Sequence, residues 1–248
     1  MANSYRMILF DFFNTLVLQD SSRQPTLEIE GRNVISTAGL LQQRLAARYP
    51  NIDAMQVQRA MEAARRIIAK QRGSELKELP ALRRFKEIAT ILGCDLEKEE
   101  TPRELLETHM AAVTGSFHFP EAHRDLLERL HGAYRLGIFS NFDHAPALLG
   151  VLRDNGIAHY FEPVVISESI GFRKPGRSAF RHALAQAGLP VREILFVGDS
   201  LKDDVRGALQ VDLDVAWING NGEQTPEDGR PTYELPNLVA LRQLLDLA

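Results

Sequence analysis

The sequence of 248 residues contains a single cysteine, Cys94, and this scarcity excludes two kinds of cross-link. One thiol cannot form a disulfide within the chain, and it cannot supply the several thiolates of a cysteine-based zinc site. A lone cysteine is typical of proteins that work in a reducing compartment, so we expect a cytoplasmic protein.

The chain also lacks a surplus of positive charge and any long hydrophobic run. Its formal net charge is −4, so no basic excess is available to neutralise the phosphates of nucleic acid or an anionic membrane surface. No apolar stretch approaches the roughly 20 residues of a membrane span, and none of signal-peptide length precedes Asp11. We therefore expect no nucleic-acid partner, no membrane partner and no targeting segment.

What is present is the composition of an ordinary globular protein, with 44% hydrophobic and 25% charged residues. A chain of this length can bury a sizeable core, either as one domain with an insertion or as two modest domains.

The run MILF at residues 7–10 predicts a strand buried on both faces, as in a parallel sheet. It ends at Asp11, and ligands of doubly wound sheets bind just beyond the carboxyl ends of the strands. A carboxylate there could act as a nucleophile, as a metal ligand or as both. It could also merely cap the next turn.

The next part of the chain, from about residue 31 to residue 115, reads as helical throughout, with no convincing strand. Gly73 ends the second helix, and a third is predicted over residues 81–92. The segment that begins at Thr101 has the pattern of a helix cap followed by proline at the first helical position. Four successive helices predict a small bundle inserted after the first strand.

From Phe119 onward, strands and helices alternate, which predicts right-handed crossovers and a parallel sheet. The predicted strands cover residues 134–139, 163–166, 193–197 and 215–218, and the predicted helices cover residues 121–131, 147–155, 178–187 and 204–209. Residues 219–231 read as a loop, and a final helix is predicted to end near Leu245.

Four polar side chains follow predicted strands or lie in the loops after them: Asp11, Ser140, Lys174 and Asp199. Because the carboxyl ends of parallel strands share one edge of a sheet, we expect these side chains to lie together. Each has a less specific alternative when taken alone, since Ser140 could cap a helix and Lys174 could be a solvated loop cation.

These residues belong to four segments that occur in a fixed order. The segments are Asp11-x-x-x-Thr15-Leu16, Ser140-Asn141, Lys174-Pro175 and Gly198-Asp199-Ser200-x-x-x-Asp204. In this set and order the sequence resembles the haloacid dehalogenase (HAD) superfamily of hydrolases. The helical insertion resembles the C1-type cap of its phosphatase and dehalogenase branch, and residues 141–143 are most similar to members resembling the "rhythmically expressed gene" product.

The resemblance implies an α/β fold: a Rossmann-like three-layer core with a parallel sheet, plus an inserted helical-bundle cap domain. The core domain would comprise residues 1–18 and 116–248, and the cap domain residues 19–115.

The resemblance also implies a role for each carboxylate. Asp11 would attack the substrate and form a covalent aspartyl intermediate, which divides one difficult displacement into two easier ones. Mg²⁺, which prefers oxygen ligands, would be held by Asp11, the main-chain carbonyl of Phe13 and Asp199. Asp204, with Asp203 as a further candidate, would complete the metal site by orienting the waters of the ion.

The remaining predicted site residues would bind the phosphoryl group. Ser140 and the backbone N–H groups after it, beginning with that of Asn141, would receive a phosphate oxygen at a helix N-terminus. Lys174 would neutralise charge on the nucleophile and on the transferred group. Thr15 would hold the nucleophile loop through a bond from its hydroxyl to the backbone. Ser140, Asn141 and Lys174 are thus predicted as catalytic residues alongside Asp11.

The sequence departs from the family at two positions. Phosphatases of the family carry a second Asp two residues after the nucleophile, where it protonates the leaving group and then activates water. Here that position is Phe13, whose ring can do neither, and loss of a general acid–base costs roughly 10²–10⁴-fold in rate. Asn14 replaces the usual Gly, which is tolerable if the turn needs a positive φ.

Three functions are therefore open. The first, which we favour, is a Mg²⁺-dependent phosphatase of small phosphorylated metabolites, slow or with proton transfer from Asp143, His144 or a cap residue such as Arg32. The second is a 2-haloacid dehalogenase-like hydrolase, because that branch has an aromatic residue at the Phe13 position and halide leaves without a proton. The presence of Asp199 counts against it. The third is a catalytically silent fold that binds a ligand or a protein.

The substrate is not identified by the sequence. Five cap side chains could contact anions or merely face solvent: Arg23, Arg32, Arg65, Arg66 and Lys70. Two linkers, near residues 19–25 and 115–120, would permit the cap to open and close. Either a monomer or a homodimer is compatible with the sequence.

Overall fold

The computed structural model describes residues 5–96, 100–225 and 229–247. The strands in these ranges are β1 (Met7–Phe10), β2 (Leu18–Gln19), β3 (Thr26–Ile29), β4 (Arg32–Ile35), β5 (Phe117–His118), β6 (Arg135–Ser140), β7 (Phe161–Ile166), β8 (Ile194–Gly198), β9 (Asp214–Ile218) and β10 (Tyr233–Leu235). The helices are α1 (Ala38–Leu45), α2 (Ala54–Arg72), α3 (Ala81–Ile91), α4 (Glu100–Thr114), α5 (Glu121–His131), α6 (Ala145–Asp154), α7 (Ser167–Ile170), α8 (Arg177–Ala187), α9 (Arg206–Leu209) and α10 (Leu241–Leu244).

A parallel sheet with the order β10-β9-β8-β1-β6-β7 forms the centre of the molecule. All four residues of β1 are fully buried, because β1 lies between β6 and β8 and is covered by side chains on both faces. One apolar cluster packs the sheet against α5, α6 and the C-terminal segment, and a second packs its other face against α8 and α9. The predicted α/β fold with a three-layer core and a parallel sheet is thus confirmed.

Helices α1 to α4 lie between β2 and β5 in the chain and pack around a third apolar cluster of their own, which includes Leu41, Ala60, Phe85 and Leu105. Their apolar faces meet one another, as the helical periodicity predicted.

The prediction that residues 31–115 contain no strand is wrong. Strands β3 and β4 pair as an antiparallel hairpin, and β4 lies inside that range. The two turn residues, Glu30 and Gly31, have φ values of 50° and 75°, which suit a two-residue hairpin turn. Four-residue strands are too short to display a convincing alternation.

Other differences concern the start of α4, the helix predicted after Asp199 and one short strand. Helix α4 already includes Glu100, so Thr101 lies buried within it and does not cap its start; residues 97–99 lie outside the described ranges. The helix predicted over residues 204–209 is a π-helical turn over Leu201–Val205 followed by α9. Strand β10 was not predicted, because three residues after a long loop give no periodic signal. The other predicted elements of the sheet domain agree within two residues of their ends.

Candidate active site

The predicted residues meet at the carboxyl edge of the sheet. Asp11 follows β1, Ser140 ends β6, and Asp199 follows β8. Lys174 reaches them from the loop after α7, and its Nζ lies 2.6 Å from Asp11 Oδ1 and 2.7 Å from Asp204 Oδ1. The sequence-based expectation that these side chains share one neighbourhood is therefore met for the carboxylates and the lysine.

The ammonium of Lys174 is buried, with 2% of its side chain exposed. It also donates to the carbonyl oxygen of Phe139 at 3.0 Å and lies 5.2 Å from the ring centroids of Phe139 and Phe196. Burial disfavours its charge, but the carboxylates of Asp11 and Asp204 outweigh burial, so the pKa of Lys174 lies above its ordinary value. The lysine is a fixed cation at neutral pH.

Three carboxylates converge beside this lysine. Asp11, Asp199 and Asp204 each offer one oxygen, and the three atoms lie within 4.8 Å of one another. Burial raises the pKa of Asp11 to about 7 against the opposing effect of Lys174, and the charges of Asp204 and Asp199 add to the rise. Burial and the charge of Asp204 likewise raise the pKa of Asp199 to about 6.

These raised pKa values are consistent with one ammonium that does not offset three carboxylates, of which Asp11 and Asp204 are buried and Asp199 is half-buried. A bound cation would remove the remaining repulsion, and an all-oxygen donor set is the kind that Mg²⁺ prefers. Asp11 and Asp199 fit the role of direct ligands. Asp204 is already engaged, since one of its oxygens faces Lys174 and the other accepts the N–H of Ser200 at 2.9 Å. That arrangement fits a residue that orients its surroundings.

The turn after β8 holds Asp199 and Asp204 in place. Trp217 Nε1 donates to the carbonyl oxygen of Asp199 at 2.9 Å, and Ser200 Oγ accepts the N–H of Asp203 at 3.0 Å. A Cβ on Gly198 would collide with the carboxyl group of Asp204. The glycine of this motif is therefore required for the carboxylate to approach the backbone.

Asn141 holds the loop that carries the lysine. Its Oδ1 accepts the N–H of Lys174 at 2.8 Å, and its Nδ2 donates to the carbonyl oxygen of Lys174 at 3.0 Å. The side chain of Asn141 thus brackets the Lys174 backbone. Ser140 precedes it, buried at the last position of β6 and in register with Ile166 of β7.

The turn after the nucleophile contains Phe13, Asn14 and Thr15. Asn14 has a φ of 63°, which confirms that this turn needs the left-handed conformation. Thr15 is buried, but its hydroxyl has no hydrogen-bond partner among the described residues, so the predicted bond from this hydroxyl to the backbone is not formed. The ring of Phe13 packs against Phe117 and Phe142, with centroids 4.7 Å away in each case. Phe13 has no titratable group, so it cannot donate or accept a proton in the reaction.

Of the alternative proton donors, Asp143 is already paired. Its Oδ2 accepts from Arg84 of α3 at 3.1 Å, and its carbonyl oxygen accepts the N–H of Ala81 at 2.7 Å. His144 lies next to it at the start of α6, with a buried Nδ1 that has no hydrogen-bond partner among the described residues. Arg32 is exposed on the hairpin.

A buried carboxylate, Glu78, joins the helical insertion to the sheet domain. It accepts from Arg72 at 2.7 Å, from Arg173 at 2.6 Å and from Ser167 Oγ at 2.7 Å. The side chain of Glu78 is fully buried. No local pattern marks this residue, because its partners come from α2, from α7 and from the loop that precedes Lys174.

A cavity of about 340 Å³ lies between α2, α3 and α4 on one side and the loop after β6 on the other. Its wall is formed by Arg65, Ile68, Arg72, Arg84, His109, Met110, Val113, Asn141, Phe142, Asp143 and Arg173. Asn141 connects this wall to the lysine loop, and Phe142 connects it to Phe13.

Residues 5–212 match the family of haloacid dehalogenase-like hydrolases, and the chain belongs to that family. It is therefore a hydrolase by family, and its curated relatives include phosphatases and 5′-nucleotidases. It is similar to the pyrimidine 5′-nucleotidase YjjG of Escherichia coli, with 36% identity over 48% of this chain and 53% of that protein. It is similar to the phosphoserine phosphatase of Thermus thermophilus, with 33% identity over 55% of this chain and 53% of that protein.

The chain thus spans about half the length of these curated relatives. Among solved structures, a 2-haloacid dehalogenase from Pseudomonas syringae has the same fold, with a TM-score of 0.74 over 98% of each chain and 21% identity. In the described part of the chain, no helix is both long and apolar enough to cross a membrane.

Proposed function

We propose that this protein is a Mg²⁺-dependent phosphatase that acts on a small phosphorylated metabolite through an aspartyl intermediate on Asp11. The observation that carries the proposal is the meeting of Asp11, Asp199 and Asp204 within 4.8 Å of one another beside the buried Lys174. Uncompensated buried charge is costly, so packing alone gives no reason for three carboxylates to meet with two of them buried. Residues 1–18 and 116–248 form the catalytic core in this proposal, and residues 19–115 form the cap. The buried free thiol of Cys94 suits a cytoplasmic enzyme.

In the first step, a carboxylate oxygen of Asp11 attacks phosphorus while the bond to the ester oxygen breaks. Lys174, hydrogen-bonded to the same carboxylate at 2.6 Å, offsets the repulsion between the nucleophile and the incoming phosphate. In the second step, water attacks phosphorus of the aspartyl phosphate, which releases inorganic phosphate and restores the carboxylate of Asp11.

Mg²⁺ bound by Asp11, Asp199 and the carbonyl of Phe13 would supply positive charge to the transferred phosphoryl oxygens. Asp204 keeps Lys174 and the Ser200 backbone in place. Asn141 fixes the position of Lys174 through its two hydrogen bonds to the Lys174 backbone, and Ser140 would receive a phosphoryl oxygen.

Phe13 limits which substrates react well. The leaving oxygen must depart without a proton from that position, so activated phosphates should react faster than alkyl monoesters. A preference for activated phosphates would distinguish this protein from an ordinary phosphatase of the same family.

A dehalogenase is the second candidate, and the aromatic wall of Phe13, Phe117 and Phe142 beside the nucleophile favours it. Halide needs no proton to leave, which an apolar wall would tolerate. The three-carboxylate cluster argues for the phosphatase, because an all-oxygen donor set suits Mg²⁺, whereas displacement of halide needs no metal.

The test measures hydrolysis of p-nitrophenyl phosphate and acetyl phosphate with Mg²⁺ and with EDTA, and of 2-chloropropionate without metal. We expect Mg²⁺-dependent phosphate release that Asp11→Asn abolishes and Asp125→Asn, a matched change on the exposed face of α5, leaves intact. Chloride release without phosphate release would establish the dehalogenase instead. Release of neither phosphate nor chloride would favour the interpretation that the protein only binds a ligand or another protein.

A further inference from the structure

We propose that the cavity between the helical insertion and the loop after β6 recognises a second anionic group on the substrate. This inference rests on the proposed phosphatase function and names its substrate class: phosphate monoesters that carry a carboxylate or a second phosphate. The groups that would bind it are four arginines, which we call the arginine cluster: Arg65, Arg72, Arg84 and Arg173.

The arginine cluster is incompletely neutralised. Glu78 is shared by Arg72 and Arg173, at 2.7 and 2.6 Å, and Asp143 pairs with Arg84 at 3.1 Å. Two carboxylates thus face four guanidinium groups, which leaves two positive charges unmatched. Among the described residues, no carboxylate lies within ion-pair distance of Arg65.

Arg84 is the deep member of the arginine cluster. Its side chain is 17% exposed, and its Nε is buried without a hydrogen-bond partner among the described atoms. Burial lowers the pKa of this guanidinium, Asp143 opposes the shift, and the charges of Arg65 and Arg72 add to it. A buried donor and mutual repulsion between cations are both relieved when an anion binds.

Arg65 lies at the solvent side of the same cavity, on α2, where it is exposed. Arg65 and Arg84 both act on His109, whose pKa is lowered to about 3 by burial and by these two charges. The imidazole of His109 is therefore neutral. Its Nδ1 and the hydroxyl of Thr37 share a hydrogen bond of 2.8 Å. The positive charge of the cavity comes from the arginines alone.

The inference places the alcohol portion of the substrate in this cavity and its phosphate at Asp11, which does not line the cavity. Asn141 forms part of its wall and at the same time brackets the backbone of Lys174, which holds Asp11. A monoester whose phosphate lies at Asp11 would extend its alcohol portion along the loop after β6 into this space. A volume of about 340 Å³ is at the lower end of ligand cavities, which suits a small metabolite.

Matched substrate pairs test the inference. 3-Phosphoglycerate and glycerol 3-phosphate differ by a carboxylate in place of a hydroxymethyl group, and fructose 1,6-bisphosphate and fructose 6-phosphate differ by one phosphate. We expect kcat/KM to favour the more anionic member of at least one pair by about tenfold or more, chiefly through KM. Preference in the first pair alone would identify a carboxylate as the second group, and preference in the second pair alone a phosphate.

Variants assign the preference to the arginine cluster. Arg65→Ala should reduce the ratio within the preferred pair to near one. Arg65→Lys should keep part of the ratio, because it keeps the charge. Arg66→Ala, a neighbouring exposed residue of α2 that does not line the cavity, should keep all of it.

Binding separates failure of this inference from failure of the phosphatase proposal. Calorimetry with Asp11→Asn measures the affinity for each member of the two pairs without turnover. One outcome is that the Asp11→Asn variant binds the more anionic ligand more tightly and loses this preference when Arg65→Ala is added. If it does so while the wild type hydrolyses no phosphate ester, the proposed function is wrong and the anion site stands. If p-nitrophenyl phosphate is hydrolysed but both members of each pair bind and react equally, or Arg65→Ala leaves the ratio unchanged, the anion site is overturned.

Discussion

The ammonium of Lys174 donates a hydrogen bond of 2.6 Å to the carboxylate of Asp11, at a place where the lysine side chain is almost fully buried. The two charges neutralise one another, so the carboxylates of Asp199 and Asp204 remain as the surplus negative charge of the site. This imbalance makes cation binding measurable without any enzymatic assay.

We expect Mg²⁺ to stabilise the fold, because it binds a site that the unfolded chain does not have. At a concentration 100 times its Kd, the ion should raise the free energy of unfolding by about 2.7 kcal/mol and the Tm by roughly 5–10 °C. Asp199→Asn should abolish the shift. Asp125→Asn should preserve it, since that carboxylate lies on the exposed face of α5.

The Mg²⁺-dependent shift in Tm should depend on pH. Without the ion, the folded-state pKa values of Asp11, about 7, and Asp199, about 6, lie above the ordinary value of 3.8. The stability these two groups contribute is present below about pH 4 and is lost as pH rises through 6 to 7. Because Mg²⁺ must displace these protons at low pH, its stabilising effect should be larger at pH 7.5 than at pH 5.5. An equal shift at both pH values would contradict the raised pKa values.

Phe13→Asp should restore an acid–base group at the position where the family has one. We expect turnover of glycerol 3-phosphate to rise by about 10²-fold, the lower end of what a general acid contributes, with little change for acetyl phosphate. Loss of the ring contacts with Phe117 and Phe142 should cost up to about 3 kcal/mol of stability.

The matched control for that change is Phe13→Asn, which removes the same ring and offers no proton. Initial rates at saturating Mg²⁺ compare the two variants. Equal rates for Asn and Asp at this position would show that the missing acid does not limit the reaction.

Much of the candidate site was predictable because it depends on local sequence and on one geometric rule. Asp11 and Asp199 each follow a short run of buried apolar residues, and parallel strands place such ends at one edge. The left-handed turn at Asn14 follows from the few residue types that tolerate a positive φ.

The rest depends on contacts between distant parts of the chain, which no local pattern encodes. Glu78 lies 95 positions from Arg173, and Arg84 lies 59 positions from Asp143, yet each pair forms an ion pair. For Asn141 the prediction concerned its backbone N–H toward phosphate, and no local pattern indicated that its side chain brackets the Lys174 backbone. The partner of a polar side chain is decided by packing.

Glu78→Gln should weaken the attachment of the helical insertion to the sheet domain. The change leaves the guanidinium groups of Arg72 and Arg173 without their shared carboxylate in a buried setting, which costs about 3–5 kcal/mol. Urea unfolding measures the loss. Glu75→Gln is the control, because its pair with Lys77 is exposed and should contribute almost nothing. Equal free energies of unfolding for the two variants would show that Glu78 does not stabilise the contact between the helical insertion and the sheet.

His109 should make the protein sensitive to acid. Its ring lies among Phe85, Arg84, Arg65 and the hydroxyl of Thr37, and its pKa is lowered from 6.5 to about 3 by burial and by the two arginines. In the unfolded chain the imidazole takes up a proton near pH 6.5, whereas the folded protein does not. The stability from this group is therefore complete above pH 6.5 and declines as pH falls toward 3.

The size of the effect follows from the same difference. Between pH 7.5 and pH 5.5, wild type should lose about 1.4 kcal/mol more of its free energy of unfolding than His109→Gln, which can still bond to Thr37 but does not titrate. Urea unfolding at both pH values gives this difference. His182→Gln, at an exposed position of α8, controls for loss of an imidazole. If wild type and His109→Gln lose the same amount, the imidazole is charged in the folded protein, and the positive charge beside the cavity is larger than the arginine cluster alone supplies.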